Sequence, residues 1–255
     1  MVRATHLQKS EITLFRLLRD QFLFLTRGQI QRILTLETRW LNLRLQHLVS
    51  KGYLSRRYRL DKFEHFQSPL YYLGKRGCEL AGMNVEEVSS YIDTVRSYAE
   101  RSIPHLLAIC DVLLKFLLES NVRRIIGSED QVWRELINFG NKPDAWIQYD
   151  GGEAFVEIDL DTEHRGAVEK KLVQYANFKS SGGYRSSFPD CDFKVLFMTT
   201  TEERIGTLQS ITWSDDVWYC TMEEFLKEPL GHQHWFALHG FYALPITRKK
   251  EVQGV

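Results

Sequence analysis

The chain has 255 residues, 44% hydrophobic and 26% charged, proportions that exclude disorder, collagen and coiled coil as descriptions of the whole and leave room for two modest domains. Its 33 basic and 33 acidic residues cancel, yet residues 1–76 hold 15 lysines and arginines against 5 acids, and the rest of the chain reverses the balance. A basic front joined to an acidic back excludes a uniformly charged surface and is the electrostatic footprint of nucleic-acid binding at one end.

The start of the chain, MVRATHLQKS, has no apolar core of the kind a secretory signal needs. No run of about 18 apolar residues occurs. The nearest, His105 to Leu118, is interrupted by Asp111 and Lys115. Cys78, Cys110, Cys191 and Cys220 show no CxxC spacing and are expected to be reduced and buried. A cytoplasmic location with no membrane partner is the expectation.

The front third predicts three helices and a hairpin. Ser10 is an expected N-cap, with Ile12, Leu14, Leu17 and Leu18 on one face of a helix to about Phe22. Thr26 caps a short second helix carrying Ile30, Ile33 and Leu34. A third runs from about Glu37 to Ser50, with Leu41, Leu45 and Leu48 in register and Gly52 just past its end. Tyr53 to Arg59 has strand composition, Asp61 to Pro69 is a polar turn, and Leu70 to Leu73 returns. Three helices followed by a two-stranded wing is the order of a winged helix-turn-helix.

That order makes the third helix the one that enters the major groove of duplex DNA. Arg39 and Asn42 are expected toward base edges, and Thr38 and Arg44 toward phosphates. Arg56, Arg57, Arg59 and Lys62 lie on or near the wing, within reach of the backbone or the minor groove. This front domain is assigned residues 1–84.

Residues 85–120 read as a helical connector: Glu86 to Glu100, then Ser102 as cap, Pro104 early in a helix, and apolar residues from Leu106 to Leu117 around much of its circumference. Such a helix is buried either within the chain or against a second copy, so a homodimer on two half-sites is one expectation.

Residues 121–255 alternate in the manner of an α/β domain with a mixed sheet. Strands are expected at Val122–Ile126, Ala145–Ile147, Phe155–Ile158, Phe193–Met198 and Val217–Cys220, and helices at Glu129–Phe139, Arg165–Phe178 and Glu202–Ile211. Asp150-Gly151-Gly152 is a hairpin signal between the second and third strands.

Pro143-Asp144 opens one strand, and Glu157-Ile158-Asp159 ends the next. Residues 157 and 159 share a strand face, and a hairpin can bring Asp144 beside them. Three converging carboxylates repel one another unless a cation compensates. Oxygen ligands of this kind suit magnesium or manganese, which can activate water and stabilise an attacked phosphodiester.

Pro143-Asp144 followed by Glu157-x-Asp159 resembles the PD-(D/E)xK nuclease superfamily, with Glu135 where many members carry a helix acid and Lys171-x-x-Gln174-Tyr175 similar to their lysine- or glutamine-bearing helix. The resemblance implies metal ligation by Asp144, Glu157 and Asp159, with Lys171, Glu135 and Gln174 completing a catalytic set. A longer stretch resembles the replication-relaxation family of bacterial plasmids and integrative elements. It includes Pro69 to Gly77, His105-Leu106-Leu107-x-x-Cys110-Asp111-Val112, Pro143-Asp144-Ala145, Phe155 to Asp159 with Thr162, and Lys171-Leu172-x-x-Tyr175. That resemblance covers roughly residues 10–210 and implies a DNA-binding protein of a mobile element, acting in replication or its control alongside other replication proteins.

Active nucleases of the superfamily usually carry lysine at the place of Asp159. An acid there does not supply the positive charge that an ammonium offers the transition state. Lys171 or Lys170 on the following helix, or Lys142, would have to reach back. The readings that follow are a DNA-binding factor, a metal-dependent endonuclease or nickase, and a regulator whose back domain senses a ligand or partner. His232, His234 and His239 lack the complement of a metal site, no GxxxxGK[ST] phosphate loop occurs, and the six tryptophans are spaced as core or interface residues.

Overall fold

The computed structural model describes residues 7–58, 68–127, 140, 142–150, 152–182, 185, 192–233 and 235–245. The chain is a mixed α/β protein that divides into two compact units, Met1–Cys110 and Asp111–Val255.

In the first unit α1 (Lys9–Asp20), β1 (Leu25–Thr26), α2 (Arg27–Leu34), α3 (Thr38–Ser50), β2 (Leu54–Arg57), β3 (Leu70–Leu73), α4 (Lys75–Leu80) and α5 (Val85–Ser97) follow in order, and α6 (Ile103–Glu119) begins. Gln8, not Ser10, caps α1. The Glu11 carboxylate accepts from Gln8 N–H at 2.7 Å and the Gln8 carbonyl from Glu11 N–H at 3.0 Å, so both backbone donors are satisfied. Thr26 caps α2 as the sequence leads one to expect, its hydroxyl accepting from Gln29 N–H at 3.2 Å. Leu41, Leu45 and Leu48 are the buried stripe of α3. Gly52, at φ +75°, ends that helix in the left-handed conformation glycine tolerates best.

Strand β3 is the centre of a three-stranded antiparallel sheet in the order β1-β3-β2. β1 is only two residues long and carries no period of its own. Its pairing with Leu70 and Tyr71 is a tertiary event. The glycines around α4 have a packing reason. A Cβ on Gly74 would lie 2.4 Å from the Gly52 carbonyl oxygen, and one on Gly77 would lie 2.0 Å from that of Tyr53. The Leu73-Gly74-Lys75-Arg76-Gly77 signature therefore records a close backbone crossing between α4 and the entry to β2.

The second unit holds the C-terminal part of α6, β4 (Val122–Gly127), β5 (Ala145–Tyr149), β6 (Gly152–Asp159), α7 (Arg165–Ser180), β7 (Lys194–Thr199), α8 (Glu202–Gln209), β8 (Val217–Thr221), α9 (Met222–Lys227), β9 (Trp235–Ala237) and β10 (Gly240–Tyr242). The helix expected at Glu129–Phe139 lies outside the described residues. The sheet runs β10-β9-β8-β7-β6-β5-β4. β6, β7 and β8 are parallel, joined by α7 and α8 as parallel neighbours require. The remaining pairs are antiparallel. α9, β9 and β10 lie beyond the last element the sequence pattern marks.

Phe155, Phe197 and Tyr219 on one sheet face join Val168, Leu172, Tyr175 and Phe178 of α7 and Ile205 and Leu208 of α8 in the main core. Phe116 of α6 packs on Tyr149 at 5.4 Å and on Phe225 of α9 at 5.7 Å between ring centres. Val112, Leu113, Leu114 and Phe116 are all buried within one chain, so this stretch of α6 needs no second copy to cover it. Every residue of β6 after Gly152 is buried, as expected of a strand covered on both faces. Cys78, Cys110 and Cys220 are buried and form no disulfide among the described residues, and Cys191 lies outside them. Among the described residues no helix is long and apolar enough to cross a membrane.

The glycines yield a paired prediction. Gly77→Ala must displace the backbone at Tyr53 and should lower unfolding stability in urea by about 1–3 kcal/mol. Gly206→Ala, inside α8 with open space at its Cβ position, should raise it by about 0.5–1 kcal/mol.

Candidate functional site

Two groups of residues hold the positions that the sequence singles out. One lies in each unit.

In the first unit α3 leaves Thr38, Arg39, Trp40, Asn42 and Leu43 exposed. The turn before it is braced by Gln31, whose amide donates to the Leu36 carbonyl at 3.0 Å and to the Thr38 hydroxyl at 3.4 Å, while Thr35 takes a left-handed conformation at φ +52°. Arg27, at the start of α2, is also exposed and approaches Asn42 Oδ1 at 3.5 Å. Nothing local in the sequence ties Arg27 to α3, because its neighbour there is fifteen residues away. Arg56 is exposed on β2, with its guanidinium 5.6 Å from the centre of the Tyr58 ring. Arg59 and Lys62 lie outside the described residues.

Two arginines expected at phosphates have other work. Arg44 forms a two-pronged ion pair with Glu11, its Nη2 2.6 Å from Oε2 and its Nε on Oε1. The hydrogen bond to Glu11 raises the Arg44 pKa, and the Glu11 side chain is 1% exposed. A buried carboxylate needs a partner, and Arg44 is it. Arg57 turns inward: it donates to the carbonyls of Val95 at 2.7 Å and Tyr98 at 2.9 Å and pairs with Glu100 at 2.5 Å, over the face of Phe24. Trp40 and Trp213 are 60% and 54% exposed, so of the two expectations for the tryptophans, core or interface, these two do not belong to the core. Trp146, Trp218 and Trp235 are buried.

In the second unit the acidic residues gather at the ends of β5 and β6. Asp144 Oδ2 accepts from Ile158 N–H at 2.7 Å, which ties the start of β5 to the end of β6. Glu157 is 1% exposed. Its Oε2 accepts from Lys171 Nζ at 2.9 Å and its Oε1 from the Tyr175 hydroxyl at 2.5 Å. Lys171 also donates to Glu163 Oε1 at 2.6 Å. Asp159 does not join this group as a third ligand. Arg204 of α8 holds it, with Nε at 2.8 Å and Nη2 at 2.6 Å from Oδ2, and the same guanidinium donates to the Glu163 carbonyl at 2.6 Å. Gln174 is turned away, donating to Gly140 O at 2.7 Å. Glu135 lies outside the described residues. Lys171 therefore does reach back toward the strand, as the sequence required of one of its lysines, but to Glu157 and Glu163. Arg204 carries no sequence signal, since α8 lies some forty residues beyond β6, whereas Glu163 follows Asp159 by four residues in the connection to α7.

Burial and the charge of Asp144 push the Glu157 carboxyl up to about 7, against the pull of Lys171 and Tyr175. Lys171 loses hydration on burial but is held charged, above its ordinary value, by Glu157 and Glu163. A magnesium or manganese ion on Asp144, Glu157 and Asp159 does not fit this arrangement. Both Glu157 oxygens already accept hydrogen bonds, Asp159 is paired with Arg204, and among the described residues no group of three or more His, Cys, Asp or Glu is placed to hold a metal. Glu163 Oε2 is buried with no hydrogen-bond partner, but one oxygen is far from the six ligands such ions take. His239 pairs with Asp215 at 3.5 Å, and His234 lies outside the described residues.

The protein is thus a mixed α/β chain with a basic helix-and-sheet unit and a second unit built on a charge-compensated acidic strand end. A family model described as replication-relaxation matches residues 15–190, more than half of the chain, and the chain belongs to that family. The membership ties it to replication or relaxation of mobile elements. No curated protein and no solved structure matches it.

The raised Glu157 has a pH consequence. Its folded-state pKa lies above the unfolded value, so its contribution to stability is complete below about pH 4.5 and is lost as pH rises through about 7. Glu157→Gln should remove this loss, flattening the unfolding free energy between those pH values by up to about 1.4 kcal/mol per pH unit. Asp144→Asn, which keeps an oxygen for Ile158 N–H, should narrow the window from above. Urea titrations across pH 4–8 test both.

Proposed function

We propose that this chain is a duplex-DNA-binding protein of a mobile element, acting in replication or its control, and that it docks through α3 in the manner of a winged helix. The reading rests on one observation above all: the polar and basic residues Thr38, Arg39 and Asn42 stay exposed on α3 while Arg44 and Arg57 are taken up inside the unit. The element order α1-β1-α2-α3-β2-β3 with sheet order β1-β3-β2 supports the winged-helix mode, with β2 and β3 as the wing. Arg39 and Asn42 face base edges, and Arg27 and Arg56 face phosphates on either side. The acidic cluster of the second unit acts here as a charge-balanced joint that holds β5, β6, α7 and α8 in register. The nuclease reading has less support, because the oxygens it requires are engaged by Lys171, Tyr175 and Arg204.

Duplex binding should fall steeply with salt, with log K against log salt falling by about 0.9 per phosphate contacted. Arg56→Ala and Arg27→Ala should each reduce that slope by about 0.9. Arg39→Ala should cost roughly tenfold or more in affinity. Arg44→Ala should instead lower stability by about 3 kcal/mol, because it leaves Glu11 buried and unpaired. Fluorescence anisotropy over a salt series measures the first three, and thermal unfolding measures the last. Binding that ignores salt, or that survives the Arg39, Arg56 and Arg27 changes together, overturns the docking. Supercoiled plasmid should stay intact with magnesium or manganese. Nicking that disappears in Asp144→Ala and Glu157→Ala would restore the nuclease reading.

A further inference from the structure

α3 carries an apolar pair that the fold does not use. Its roll is set by Leu41, Leu45 and Leu48, each no more than 2% exposed. On the outer face Trp40 is 60% and Leu43 50% exposed, three residues apart and so neighbours on the helix surface. Arg39 and Asn42 sit between and beside them, and Arg27 reaches Asn42 from α2. The helix itself bears no carboxylate. Glu37, at its N-cap, is the acid nearest in sequence.

Apart from the indole N–H of Trp40, a Trp and a Leu set among arginines present apolar surface, which gains nothing against a phosphate. The floor of the major groove does offer an apolar partner, the C5-methyl group of thymine. An apolar protein surface could also cover the pair, but the positive charge around it, with 15 basic residues against 5 acidic in residues 1–76, complements a polyanion.

We propose that Trp40 and Leu43 determine sequence preference by reading thymine methyl groups in the major groove. The inference rests on the docking of α3 proposed above and goes further, since it names the chemical group recognised and a site rich in A·T pairs as the preferred ligand class.

Removing the methyl group alone tests it. A random-sequence duplex library is enriched on the full-length protein, and the enriched pool is re-amplified with either dTTP or dUTP, so that uracil replaces thymine without disturbing base pairing. Wild-type protein should bind the uracil pool about fourfold more weakly for each methyl contacted. The Trp40→Ala/Leu43→Ala variant should bind both pools alike, at about the affinity of wild type for the uracil pool, with unchanged thermal unfolding because both side chains lie outside the core. Equal binding of the two pools by wild type overturns the inference, while the docking reading stands if Arg39→Ala still loses affinity. A thymine preference that persists in the double variant also overturns the inference, because the methyls are then read elsewhere. Concentration-dependent self-association without DNA that the double variant abolishes would assign the pair to a second copy of the chain instead. A library that fails to enrich, with Arg39→Ala indistinguishable from wild type, overturns the docking itself.

Discussion

A carboxylate on an interior strand of a covered sheet has to be neutralised, and the second unit is arranged around that requirement. Glu157 lies on β6, which pairs antiparallel with β5 on one side and parallel with β7 on the other. Its face of the strand also carries Phe155, which belongs to the main core with α7. Burying a charge there is costly unless partners replace the lost water. Lys171 and Tyr175, one helical turn apart on α7, supply them. Once α7 is placed to do this, Leu172 and Phe178 are committed to the same core, and Glu163 and Asp159 are within reach of Arg204 on α8. Polar and apolar packing therefore select the same helix position.

The same cluster explains why a carboxylate constellation is weak evidence for metal chemistry by itself. Asp144, Glu157 and Asp159 have the spacing of a nucleolytic set, and Asp144 is bonded to the N–H of Ile158, the residue between the other two. Two side-chain cations and a phenol have taken the roles an ion would play. Lys171 lies where a migrated catalytic lysine would lie, yet it bridges Glu157 and Glu163, which directs its charge to the fold.

In the first unit the arginines divide by what lies behind them. Arg44 stands opposite a buried Glu11 and Arg57 opposite the carbonyls of Val95 and Tyr98. Both become fastenings, one between α1 and α3 and one between β2 and α5. Arg27, Arg39 and Arg56 have solvent in front of them. Net charge marks the unit as basic, but only the partners of each guanidinium separate a fastening from a contact surface.

Much of the architecture was legible from local rules. The leucine stripe of α3, the cap at Thr26, the stop at Gly52 and the buried run of β7 each depend on residues a few positions apart, which periodicity and capping chemistry register directly. The elements that escaped notice are short: β1, α4, α9, β9 and β10 have between two and six residues and exist because a longer partner offers them a place. The sequence by itself determined the two-part charge asymmetry, the helix faces, the strand that carries Glu157 and Asp159, and the family. Tertiary structure alone decided which cation meets which carboxylate, because Arg44 to Glu11 and Arg204 to Asp159 span 33 and 45 residues, and over such separations pairing follows from how the chain packs and not from any repeat in its residues.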